Sequence, residues 1–261
     1  MASDTNKTTY SGEMPWGIWG TVGWGLLVAV VFIVLQGLVL AGFVVREVAG
    51  NPDADIYMAA KGLEANGYVM ALATLVTTPL CIGLIVLLVR LRKGPTIARY
   101  LGLKTIAPRT MLFWLGIVTL FAVLAEFLAH LAGWPFMPDF MVDAYATAYF
   151  PPLFWIALIV AAPLFEEVFF RGFLFEGFQR SRAGPIGAVF LTSLAWTILH
   201  VQYGAYELSA IFALGIIFGL ARWKTQSIYP PLAMHALFNL LAMAQLVFYL
   251  GGLNAWPFRT S

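Results

Sequence analysis

Charge is scarce in this sequence. Only 11% of its 261 residues are Asp, Glu, Lys or Arg, where a soluble domain carries about a quarter. That shortage excludes an ordinary soluble domain, and a net charge of +2 is too small to draw nucleic acid. Cysteine is nearly absent too. The single Cys81 excludes an intramolecular disulfide and any Cys cluster for zinc; it lies in an apolar run and reads as a small core residue. Aspartate is missing from every long apolar run, since Asp4, Asp53, Asp55, Asp139 and Asp143 all fall between runs. A membrane aspartyl protease, which needs two Asp within the bilayer, is therefore excluded. No Gly-x-Ser-x-Gly or Gly-x-Ser-Gly supplies a serine nucleophile. No His-Glu-x-x-His supplies the usual zinc helix. Internal repeats are absent as well, which argues against a transporter built on inverted halves with a proton-relay Glu.

What is present is apolar sequence: 61% of residues, with a mean hydropathy of +0.84. A membrane span needs about 20 mainly apolar residues. Seven runs qualify or come close: Trp19 to Val45, Tyr68 to Leu88, Met111 to Leu131, Phe150 past Glu166 and Glu167, Pro185 to His200, Tyr206 to Ala221, and Ile228 to Leu250. The expected fold is all-α, a polytopic transmembrane bundle of about seven to eight membrane helices. Residues 1–15 form an N-terminal cytoplasmic tail and 16–149 three membrane helices with their loops. Residues 150–250 form a functional membrane core and 251–261 a C-terminal tail. The first apolar run is too long for a cleavable signal, and only Lys7 precedes it. Asn6-Lys7-Thr8 matches a glycosylation acceptor, a triplet common by chance.

Lys and Arg set the orientation. With the N-terminus in the cytoplasm and spans alternating, that side holds Lys7, Arg90, Arg92, Lys93, Arg99, Lys104, Arg109, Arg171, Arg180, Arg182, Arg222 and Lys224. That is twelve of fifteen, leaving Arg46, Lys61 and Arg259 outside, the excess expected of cytoplasmic loops. Ala132 to Tyr149 carries Asp139 and Asp143 but no basic residue. Its Trp134, Phe136, Met137, Phe140 and Met141 predict a stretch lying at the membrane interface. Alanine and glycine usage points to a bacterial cytoplasmic membrane.

Charges inside apolar runs cost about 2.5–3.5 kcal/mol each, and function is their default explanation. Those present are Glu126, His130, Glu166, Glu167, Arg171, His200 and His235. Glu167 and Arg171 stand four apart with the acid first, the favoured helical pair. Glu166 is rotated about 100° from Glu167, free of that pair and able to face a cavity. Trp196 and His200 share one helix face, as do His235 and Asn239. Glu126 and His130 read as a structural pair. The inexpensive place for a Glu pair, two His and an Asn on three helices is one polar pocket. Hydrolysis is the chemistry such groups perform. A desolvated carboxylate acts as general base toward water. A nearby imidazole holds that water and passes a proton to the leaving amine. A His and an Asn donate to a developing oxyanion, worth several kcal/mol when preorganised.

Three motifs on three successive apolar segments carry a resemblance: Glu166-Glu167-x-x-x-Arg171, Trp196-x-x-x-His200 and His235-x-x-x-Asn239. Together they resemble the CPBP family, which includes the CAAX prenyl endopeptidases, the Ras-converting-enzyme-like proteins, and the Abi proteins of bacteriocin processing and immunity. The resemblance covers about Phe150 to Leu250; one departure is Trp196, where the family often has Phe. It implies an intramembrane protease with Glu166 as base, His200 as its partner on the water, and His235 with Asn239 at the oxyanion. Glu167, Arg171 and Trp196 would support them. Its substrate would be a membrane-embedded or membrane-anchored protein, with no nucleic acid. No cofactor is required in this reading. Two alternatives stay open: Glu166, His200 and His235 as three ligands of a catalytic zinc, and a non-catalytic immunity or peptide-binding protein using the same pocket.

Overall fold

The structure is a computed structural model that describes residues 15–51, 53–92, 94–135 and 137–251. The N-terminal and C-terminal tails, with Lys7, Asn6 and Arg259, lie outside the described residues apart from Pro15 and Gly251, as do Lys93 and Phe136.

All regular structure among the described residues is helical. Six helices are long and apolar enough to cross a membrane. They are α1 (Ile18–Gly50), α3 (Gly67–Leu91), α5 (Pro108–Leu131), α7 (Pro151–Gln179), α9 (Ala205–Thr225) and α10 (Tyr229–Tyr249). A seventh, α8 (Gly184–Ile198), has 15 residues. At 1.5 Å per residue it extends only ~22 Å against a hydrocarbon core of ~30 Å. The run expected to reach His200 as a span therefore stops short, and His200 falls on the turn that leads to α9. Three short helices complete the chain: α2 (Ile56–Glu64), α4 (Ile97–Leu101) and α6 (Asp139–Ala146). Asp55, Asn66 and Thr96 accept N–H groups at the starts of α2, α3 and α4.

α7 is the axis of the bundle. Its second half, from Phe165 to Phe178, is mostly buried, and the helix packs against α1, α3, α8 and α10. Phe165 stacks on Phe32 of α1 at 4.6 Å and on Phe169 at 5.7 Å. Phe173 stacks on Tyr100 of α4 at 5.7 Å. α1 and α5 instead turn most of their Leu, Val and Phe side chains outward, the surface lipid covers in a membrane protein. Leu38, Leu112 and Phe127 are among them.

One end of the bundle is basic, carrying Arg90, Arg92, Lys104, Arg180, Arg222 and Lys224. Arg171 is not part of it. It is fully buried eight residues before the end of α7, so it counts as a core group rather than a loop charge. At the opposite end α6 packs on α3. Gly67 allows that contact, because a Cβ there would come within 1.8 Å of the Ala144 carbonyl oxygen. Met141 and Phe140 of this segment reach Tyr203 on the α8–α9 turn, and Trp134 lies 4.1 Å from Tyr206.

Glu126 is partnered differently from expectation. Its carboxylate accepts from Gln245 Nε2 on α10 at 2.8 Å, so it ties α5 to α10 rather than forming an ion pair along its own helix with His130.

Candidate active site

Proline shapes the helix that carries the two glutamates. Pro163 has no N–H to give to the preceding turn. Ahead of it, Ala157–Ala161 widens to a π-helix; Ala162–Glu167, which contains it, is α-helical and Val168–Leu174 is again π. Such bulges recur at functional sites. In an i→i−5 pattern the donor to the Leu158 carbonyl is residue 163, which lacks one. Asn239 on α10 supplies it instead, Nδ2 to the Leu158 oxygen at 2.8 Å. Thr78 on α3 likewise donates to the Ala161 carbonyl at 3.1 Å. The backbone irregularity thus pins α7 to both neighbours one to two turns before the carboxylates.

Glu167 points inward and is fully buried. Its Oε1 accepts from Arg171 Nη1 and from His235 Nδ1, both at 2.9 Å. Arg171 donates further to the Gly215 carbonyl on α9 at 3.3 Å and lies over the rings of Trp196 and Phe218 at 4.7 and 5.3 Å. Pairing, a carbonyl and two ring faces together offset the desolvation of a guanidinium this deep. The (i, i+4) spacing read from the sequence does form the expected clamp.

Glu166, 100° round the helix, keeps 19% of its side chain exposed. Its Oε2 accepts from the Trp196 indole N–H and stands 4.0 Å from His235 Nε2. A carboxylate only accepts, so His235 carries its proton on Nδ1, toward Glu167, and turns Nε2 to Glu166. Trp196 and Phe218 enclose that imidazole, with ring centroids at 5.2 and 5.3 Å. His200 Nδ1 donates to the Trp196 carbonyl at 2.9 Å, which leaves Nε2 as an acceptor. Its ring lies 5.1 Å from Trp196 and 6.2 Å from Tyr203.

Along their helices, Trp196 is ~18 Å from the start of α8, Glu166 ~20 Å from the end of α7, and His235 ~9 Å from the start of α10. Their contacts put all three at one level. The turn bearing His200 sits at that level too, because α8 is short.

The structure therefore brings together Glu166, Glu167, Arg171, Trp196, His200 and His235, with Asn239 one helical turn beyond His235. Sequence reasoning treated Trp196 as a mild change of aromatic and overlooked its N–H. A signal was available, since an indole is the one aromatic side chain with an N–H donor and a buried one needs an acceptor. Gly215 and Phe218 carried no such signal. Among the described residues, no three His, Cys, Asp or Glu side chains converge as a metal-holding group. Glu166, His200 and His235 are not gathered into such a group in this structure.

A carboxylate–imidazole pair thus stands inside a bundle whose described residues include six helices long and apolar enough to cross a membrane. Residues 148–241 match the family described as Type II CAAX prenyl endopeptidase Rce1-like, a protease family, and that stretch contains all seven of these residues. The match covers the stretch whose motifs resemble the CPBP family. No curated protein and no solved structure matches the chain.

Proposed function

We propose that the protein is an intramembrane endopeptidase that hydrolyses a peptide bond of a membrane-embedded or lipid-anchored protein, of CAAX type, with water activated by Glu166 and His200. The observation that supports it is the division of labour between adjacent glutamates. Glu167 is consumed by Arg171 and His235, while Glu166 keeps an open face beside His235 Nε2.

Glu166 takes a proton from water as the oxygen attacks the scissile carbonyl carbon, and the carbonyl π electrons move to oxygen. His200 Nε2 accepts the water's second hydrogen and orients it. The oxyanion meets His235 Nε2, which donates when the ring carries both protons, and the second amide hydrogen of Asn239, the first being held by Leu158. Glu166 then returns its proton to the amide nitrogen and the C–N bond breaks, leaving a new carboxyl terminus and an amine. General base and oxyanion contributions of ~10²–10⁴ and ~10²–10³ are ordinary for such groups. The setting is a bacterial cytoplasmic membrane with the N-terminus and the basic end in the cytoplasm.

The reading is tested by comparing carboxyl termini of membrane proteins in cells carrying the wild-type chain and Glu166→Gln. New termini that depend on Glu166 support it; identical sets would leave a peptide-binding or immunity role. For the metal, dialysis of active protein against a strong chelator leaves activity intact. Loss on chelation, restored by zinc alone, would overturn the metal-free mechanism.

A further inference from the structure

A second polar feature lies at the basic end, apart from the glutamate site. A cavity of about 200 Å³ opens between α4, the end of α7 and the end of α9. Its charged lining is Arg99, Lys104, Arg180 and Arg222 against one carboxylate, Glu176. That carboxylate is already spent. Oε1 accepts from Arg180 at 3.2 Å, and Oε2 accepts from Arg222 at 3.4 Å and from Gln179. Lys104, Arg180 and Arg222 alone outnumber that one carboxylate among the described lining residues.

Arg222 is the built part of this site. It is 1% exposed, its Nε donates to the Arg171 carbonyl at 2.8 Å, and its Nη1 is buried with no hydrogen-bond partner. An unspent guanidinium donor in a buried side chain is costly and matches oxyanion ligands that accept from planar forks. The chain makes room for it deliberately. Gly102 has φ +71°, and a Cβ there would come within 2.8 Å of the Arg222 guanidinium. Lys104 and Arg180 are exposed at the cavity's rim. Arg180 follows the last residue of α7 and Arg222 precedes the last residue of α9 by three. The cavity therefore stands at span ends, the depth of lipid headgroups.

We propose that this cavity is a binding site for a phosphate-class oxyanion, supplied by an anionic lipid headgroup or by soluble phosphate. The excess of Arg and Lys over carboxylate draws the ligand, and the Arg222 donor fixes it.

The test uses the full chain purified in a neutral detergent and in nanodiscs of phosphatidylcholine, with or without phosphatidylglycerol. Inorganic phosphate is titrated calorimetrically in detergent, and lipids retained from the nanodiscs are counted by native mass spectrometry. Lys104→Gln with Arg180→Gln removes two rim cations and leaves buried Arg222 in place. Arg109→Gln with Lys224→Gln removes the same charge outside the cavity. Weakening of at least about tenfold, ~1.4 kcal/mol, in the rim variant but not the control supports the site. Weakening in the phosphate arm alone assigns a soluble anion, and loss of retained phosphatidylglycerol alone assigns a headgroup. No binding in either arm, equal binding by wild type and rim variant, or equal loss in the control would overturn it.

Discussion

Replacing Trp196 with Phe keeps a ring between Arg171 and His235 and removes only the N–H that Glu166 accepts. A hydrogen bond to a charged group contributes about 1.5–3 kcal/mol. Trp196→Phe is therefore expected to cut kcat by roughly tenfold or more and to lower the melting temperature by a few degrees. Unchanged kcat would show that the indole does not set the base. Glu167→Ala is different in kind. It strands a fully buried Arg171 and frees the His235 ring, so it should cost ~3–5 kcal/mol of stability as well as activity. A thermal melt indistinguishable from wild type would contradict the clamp. The residues legible in the sequence were those whose partners lie one turn away, such as Glu167 with Arg171. Glu176 with Arg222, 46 positions apart, leaves no spacing to read, and neither does Asn239 with Leu158, 81 apart.

At the scale of elements, the π-bulge and Asn239 make a paired prediction. Asn239→Ala leaves the Leu158 carbonyl without the donor that Pro163 lacks, costing about 1–3 kcal/mol. Pro163→Ala returns an N–H to that turn. The double variant should then recover part of the stability lost by Asn239→Ala, read as coupling in a double-mutant cycle of melting temperatures. Strict additivity would mean that the two do not serve the same carbonyl. Apolar runs revealed which segments form helices, because about 20 such residues in succession have few alternatives. They did not reveal that α8 stops after 15 residues. Gly204 and the α9 start at Ala205 follow, but no charge marks where the helix ends before the His200 turn. That short helix brings the His200 turn to the level of Glu166 and His235.

For the whole molecule, the Lys and Arg distribution predicts which side the basic end faces. Removing Arg171 from the tally leaves eleven basic residues on that side, still a clear excess, and the cytoplasm is the predicted compartment. Lys224→Cys, exposed at the basic end, is a probe of access in a Cys81→Ser background. An impermeant thiol reagent should label it in inside-out vesicles and not in intact cells; the reverse would invert the topology and the compartment of the substrate. The polytopic all-α class followed directly from composition, whereas the packing of α6 over the α8–α9 turn rests on tertiary contacts such as Phe140 with Tyr203.

The central claim is that Glu166, and not its neighbour, activates water. The most direct measurement is cleavage of a membrane-anchored peptide by purified protein in nanodiscs, wild type against Glu166→Gln, with melting temperatures recorded on the same samples. The predicted result is a fall in kcat of at least ~10³-fold in a variant that melts as wild type does. A Glu166→Gln protein that is equally stable and still cleaves at the wild-type rate would contradict it.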